Sequence, residues 1–137
     1  MDRKELQDLS RIRHKEASAL LDLELFDGAY YLAGYSVECA IKACIAKKTK
    51  RWQFPEKRRV DSSHTHNLKE LLRVAGLFDE LSTQARNDPL FDKHWETVQI
   101  WSEQSRYRRN HQQSAREILN AVADKHHGVI AWLKLHW

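Results

Sequence analysis

The chain has 137 residues, 31% of them charged and 42% hydrophobic, with a mean hydropathy of -0.71 and a formal net charge of +4. That length suits one domain with one continuous core; no run approaches the ~18 apolar residues of a membrane span, and periodic apolar clusters exclude a disordered chain. With only 4 Gly and 2 Pro among many Leu, Ala, Lys, Arg, Glu and Gln, the composition predicts an all-α protein. The opening MDRKELQDLSRIR lacks the apolar stretch of a signal peptide, so a cytoplasmic protein is expected.

Asp2 to Leu25 reads as a first helix, with Leu6, Leu9, Ile12, Ala17, Leu20 and Leu23 on one face at 3.6 periodicity. Glu16 projects into that face and needs a partner, Arg13 one turn back or Lys42 from a neighbouring helix. Phe26-Asp27-Gly28 breaks the pattern, with Asp27 as a cap and Gly28 easing the turn.

A second helix follows from about Gly28 to Lys48. It is apolar on most of its circumference, which marks it as the buried central helix. Tyr31, Tyr35, Glu38 and Lys42 follow the i, i+4, i+7, i+11 rule and form one narrow polar stripe. Such a stripe lines a ligand cleft or subunit interface, or simply edges a buried helix. Cys39 and Cys44 are five residues apart, roughly 140° around that helix, and cannot bridge each other in place.

Residues 48 to 65 have no sustained period and read as a long basic loop, with Trp52 and Phe54 interleaved among Lys50, Arg51, Lys57, Arg58 and Arg59. A third helix opens at Thr65 or Asn67, with Glu70 placed to complete a capping box, and Gly76 closes it. Leu77 to Ala85 is a short amphipathic segment. Asn87-Asp88-Pro89 starts the next helix, whose Phe91, Trp95, Val98 and Trp101 form an aromatic core stripe. From about Ser114 a last helix puts Ala115, Ile118, Leu119, Val122, His126, Val129, Ile130 and Leu133 on one face, with His126 as a core histidine.

Between those last two helices lies WSEQSRYRRNH, residues 101 to 111. Arg106, Arg108, Arg109 and His111 fall there within six residues without a carboxylate, a pattern suited to holding a phosphate. No phosphate-binding glycine loop is present. His64, His66, His126 and His127 lack the Cys or carboxylate pattern that would complete a metal site, so no metal and no cofactor is expected.

Taken in order, YYLAGYSVECAIKA, THNLKELL, WETVQIWSEQSRY and the closing amphipathic helix resemble the HEPN family of small helical bundles, over roughly Glu16 to Trp132. The resemblance implies a single up-and-down bundle of four or five helices spanning residues 1 to 137. It also implies a homodimer, with the functional cleft where two protomers meet. Many such proteins are metal-independent RNA endonucleases of toxin or defence type, with an Arg followed after four to six residues by a His near the start of the last helix. Arg106 and His111 match, and would be the catalytic pair.

In that chemistry His111 takes the proton from a ribose 2′-hydroxyl, which attacks the adjacent phosphorus, and Arg106 stabilises the added charge. Arg108, Arg109, Lys42 and His66 would hold RNA or nucleotide phosphate; Tyr31, Tyr35, Glu38 and Tyr107 would line the cleft or interface. Three other Arg/His pairs have the permitted spacing, Arg58 to His64, Arg59 to His64 and Arg59 to His66, but lie in the long loop. On an unbroken helix Arg106 and His111 would sit about 140° apart, so convergence requires a break between them or a contribution from the other protomer.

Tyr107 departs from the small polar residue that commonly follows the catalytic Arg. Its Arg-Tyr ending matches members not evidently nucleases, in which Arg106 would be salt-bridged to Glu38 or Glu103. The alternative function is therefore a non-catalytic, nucleotide-binding partner module acting beside a small nucleotidyltransferase.

Overall fold

The computed structural model describes residues 1–49 and 65–137. Most of the basic loop, with Lys50, Arg51, Trp52, Phe54, Lys57, Arg58, Arg59 and His64, lies outside the described residues. Those described form helices α1 (Arg3–Asp22), α2 (Phe26–Lys48), α3 (Leu68–Val74), α4 (Phe78–Asn87), α5 (Pro89–Gln99), a 3-10 helix (Glu103–Tyr107), α6 (Gln112–Ala123) and α7 (Val129–Leu133), with no strand among them. The helical class is as read from composition, but the described residues divide into seven α-helices rather than four or five. No helix among them is long and apolar enough to cross a membrane.

The local chemistry explains each break. Gly76 ends α3 with φ +70, in the left-handed region that side chains avoid. Asp88 caps α5, its Oδ1 accepting from the amides of Leu90 and Phe91, each at 3.2 Å, with Pro89 in the first turn. At α3, Asn67 Oδ1 accepts from Glu70 N at 2.9 Å.

Two expectations are corrected near the N-terminus. α1 carries a full capping box, in which Asp2 and Glu5 each accept the other's amide at 2.8 Å. Its inner face, however, runs through Leu6, Ser10 and Ala17, whereas Ile12 and Leu23 are exposed. On this rotated face Ser10 donates to the Ser36 carbonyl at 2.8 Å, and the small Ser10 and Ala17 let the α1 and α2 backbones come close. The turn falls at Glu24, with φ 61, and α2 begins at Phe26, so Asp27 lies inside the first turn instead of capping it. Arg13 does pair with Glu16, which is only half-buried.

The third correction concerns the last helix. Asp124 Oδ1 accepts from the amides of His126 and His127 at 3.0 and 3.1 Å, a local turn that competes with helix continuation. The helix stops at Ala123 and resumes at Val129, leaving His126 exposed instead of in the core. Val129, Ile130 and Leu133 are buried as read.

α2 is the central element. It packs on α1, α3, α6, α7 and the 3-10 helix, and buries Ala29, Ala33, Val37, Ala40, Ile41, Ala43, Cys44 and Ile45. The contacts of Ser10 with Ser36 and of Leu20 with Gly28 make α1 antiparallel to it. Around this helix the core gathers Leu71, Leu72, Phe91, Val98, Ile118 and Val122, at a few kcal/mol at most per fully buried side chain.

Trp101, directly after α5, lies on α2 at Gly34. A Cβ built on Gly34 would stand 2.2 Å from Trp101 Cδ1, so only hydrogen admits the indole. Tyr31 stacks on the same ring, with centroids 6.0 Å apart and planes at 28°. A Cβ on Gly28 would meet only the end of the Leu20 side chain, at 3.0 Å. Gly34→Ala is therefore expected to destabilise the fold by about 1–3 kcal/mol or more, and Gly28→Ala by clearly less; chemical denaturation of the two variants measures the difference.

Candidate functional site

The polar stripe of α2 forms as its spacing requires. Tyr31 and Tyr35 lie 5.8 Å apart between ring centroids, and Lys42 Nζ is 3.5 Å from Glu38 Oε2. Glu38 is only 1% exposed, a carboxylate inside the core that must be paired. Its second oxygen, Oε1, is 2.8 Å from His66 Nδ1, and the other ring nitrogen of His66 is 3.3 Å from Glu103 Oε2. The imidazole thus spans the distance between α2 and the start of the 3-10 helix. His66 contacts carboxylates on both sides, and Lys42 is directed at Glu38.

Arg106 does not join this network. Its two proposed ion-pair partners, Glu38 and Glu103, are both engaged by His66, and Arg106 forms no ion pair among the described residues. Instead its guanidinium lies 4.8 Å from the centre of the Tyr107 ring, and both residues are exposed. Tyr107, 74% exposed, contributes little to the core.

The helix break demanded by the Arg106/His111 spacing is present. The chain passes from the 3-10 helix through extended backbone at Arg108, and His111 is the N-cap residue of α6 with φ -88 and ψ 162. Its side chain makes no capping hydrogen bond and is exposed. No hydrogen bond joins Arg106 to His111. Both, with Arg108 and Arg109, face outward on a segment ending at a helix N-terminus, where backbone amides and the helix dipole also favour an anion.

One residue of this region was misread from sequence. Asp27 Oδ1 accepts the backbone N–H of Asn110, and its Oδ2 lies 3.1 Å from Arg109 Nε. Beside this clamp is a groove of about 290 Å³ lined by residues 24 to 28 together with Arg109 and Asn110. Asp27 and Asn110 are 83 positions apart, and the pairing left no local signal. Among the described residues, the buried side-chain groups Trp101 Nε1, Ser105 Oγ and Asn110 Nδ2 have no hydrogen-bond partner.

The cysteines have a different character. Both are free and buried, and burial, the largest influence on each, pushes the Cys39 thiol up to about 11 and the Cys44 thiol up to about 12. Neither supplies a thiolate at neutral pH. Among the described residues no group of three or more His, Cys, Asp or Glu side chains is arranged to hold a metal ion.

A second titratable cluster joins α5 to the α6–α7 turn. His127 Nδ1 lies 2.7 Å from Asp88 Oδ2, and the buried His94 places Nε2 3.1 Å from Asp124 Oδ2. The His127 hydrogen bond, foremost, lowers the Asp88 carboxyl, and the same bond raises His127. The His126 amide, followed by the His94 side chain and the His127 amide, brings Asp124 down to about 2. These contacts secure the turn that ends α6 and are architectural.

No family model matches the chain, and neither does any curated protein or solved structure.

The Asp88–His127 pair sets a pH window. Its lowered carboxylate contributes stability above the usual 3.8, lost as pH falls through the folded value; the raised imidazole contributes fully below 6.5, lost as pH rises through its folded value. Asp88→Asn keeps a good helix cap and removes the charge. The gap in thermal midpoint between wild type and Asp88→Asn is expected to be widest between about pH 4 and pH 6.5 and to narrow on either side; melting curves across pH check it.

Proposed function

We propose that the chain is a HEPN-type protein that binds RNA phosphate at the Arg106–His111 segment and cleaves RNA there as a toxin or defence endonuclease. The observation that carries this reading is the interruption between the 3-10 helix and α6. It releases Arg106 and His111 from the opposed directions of a continuous helix and leaves both exposed. Engagement of Glu38 and Glu103 by His66 further supports a ligand-facing role for Arg106.

In this chemistry the neutral His111 imidazole accepts the 2′-hydroxyl proton, and the resulting oxygen nucleophile attacks the neighbouring phosphorus. The bond from phosphorus to the 5′-oxygen breaks and that oxygen takes a proton from water, giving a 2′,3′-cyclic phosphate and a free 5′-hydroxyl. Arg106 offers forked donors to the phosphoryl oxygens as their charge grows, and Arg108 and Arg109 hold the flanking backbone. The mechanism requires no metal. A homodimer, with the Tyr31, Tyr35 and Tyr107 region at or near its interface, belongs to the same proposal.

The second reading is a non-catalytic module that binds a nucleotidyltransferase-type partner. It is favoured by one observation: Arg106 lies over the exposed Tyr107 ring, presenting the Arg-Tyr pair as a contact surface.

Incubating purified protein with labelled RNA in EDTA separates the two. The nuclease reading predicts cleavage that survives chelation, ends in a 2′,3′-cyclic phosphate, and falls by about 10²-fold or more in His111→Ala and in Arg106→Ala. Because His111 makes no side-chain cap contact, its alanine variant removes the imidazole without removing a helix-capping bond. RNA left intact by an excess of wild-type protein contradicts the nuclease and favours the partner module.

A further inference from the structure

We infer that Asp27 is a positioning residue for the Arg109–Asn110–His111 run, an inference that rests on the phosphate-binding reading of that run. One carboxylate contacts two consecutive residues of the segment at once: Oδ1 accepts the Asn110 backbone N–H, and Oδ2 forms an ion pair with Arg109, 3.1 Å from Nε. Asp27 projects from the first turn of α2, where the helix dipole favours a negative charge. The central helix of the fold thereby grips the backbone one peptide before His111.

The two contacts do different things. The bond to the Asn110 N–H fixes the Arg109–Asn110 peptide, one residue before the N-cap His111. With the α6 N-cap backbone extended at that point, rotation of this peptide would swing the imidazole away from a phosphate bound beside Arg106. The Arg109 contact is an ion pair in which Nε is the guanidinium atom that approaches Asp27 Oδ2, at 3.1 Å. The edge formed by Nη1 and Nη2 is left for a phosphate. The Arg109 side chain is 95% exposed, so without this contact its long stem would sample many directions. An exposed Arg–carboxylate pair contributes little to stability; its effect is on orientation.

Asp27→Ala and Asp27→Asn in the full chain separate these roles, because the asparagine oxygen still accepts the Asn110 amide while the charge facing Arg109 is removed. The measurements are kcat and KM on one labelled RNA, hydrogen exchange at the Asn110 amide, and equilibrium RNA binding by anisotropy. Asp27→Ala is expected to lower kcat by about 10- to 100-fold and to speed Asn110 exchange. Asp27→Asn is expected to restore kcat to within about threefold of wild type, with KM still raised, and it carries the test if the alanine variant does not fold.

Unchanged kcat and KM in both folded variants overturn the inference, as does an asparagine variant no better than alanine in kcat and in Asn110 exchange. If wild type does not cleave RNA, the nuclease reading fails separately, and Asp27 is judged by exchange and binding. Faster Asn110 exchange in the alanine variant, restored by asparagine, with weaker RNA binding in both variants then supports positioning. Wild-type exchange or wild-type binding in the alanine variant overturns it.

Discussion

A buried carboxylate ties the chain entering α3, and through it the 3-10 helix, to α2. Glu38 has almost no contact with solvent, and an ionised group there would cost several kcal/mol without partners. Lys42, one turn along the same helix, supplies one at 3.5 Å; His66, from the chain leading into α3, supplies the other at 2.8 Å. Because the far side of the His66 ring meets Glu103, the same imidazole ties α2 to the 3-10 helix. The Glu38 contact is a hydrogen bond through Nδ1, whereas the Glu103 contact is a charge approach at 3.3 Å. Removal of His66 would leave Glu38 with Lys42 alone among the described residues and would detach Glu103.

The position of the basic segment follows from that tie and from two other contacts on α2. At one end Trp101 fills the space over Gly34 and stacks with Tyr31. At the other Asp27 holds Asn110 and Arg109. Residues 101 to 110 are thus anchored along α2 near Asp27, Gly34 and Glu38, while Arg106, Tyr107, Arg108 and His111 project outward. A scaffold that fixes the backbone and exposes the cations is what the proposed phosphate binding requires.

Much of this was legible from sequence because it rests on local rules. The helical class, the central α2, the Tyr31–Tyr35–Glu38–Lys42 stripe, the Asp88-Pro89 start and the aromatic run of α5 all follow from periodicity or capping chemistry. The failures came where a contact distant in sequence or a competing side-chain bond decided the outcome. Ile12 belongs to an apolar period, yet the buried face of α1 runs through Ser10, which bonds Ser36, and Ala17; Leu23 lies past the end of the helix. His126 fits the period of the last helix, but Asp124 captured the His126 and His127 amides and ended it. Within WSEQSRYRRNH, Trp101 was legible as core from its spacing with Val98. The direction of Arg106 was not, because its guanidinium lies over the neighbouring Tyr107 ring instead of pairing with Glu38 or Glu103.

The claim that residues 106 to 111 bind RNA phosphate is tested most directly by NMR titration of the full chain with a short RNA carrying a 2′-deoxy group at the cleavage position, which binds without reacting. Shifts are predicted to concentrate on His111, the Asn110 amide and the guanidiniums of Arg106, Arg108 and Arg109, with His126 and His127 unmoved. Saturable binding that leaves His111 and the three arginines unchanged would contradict it.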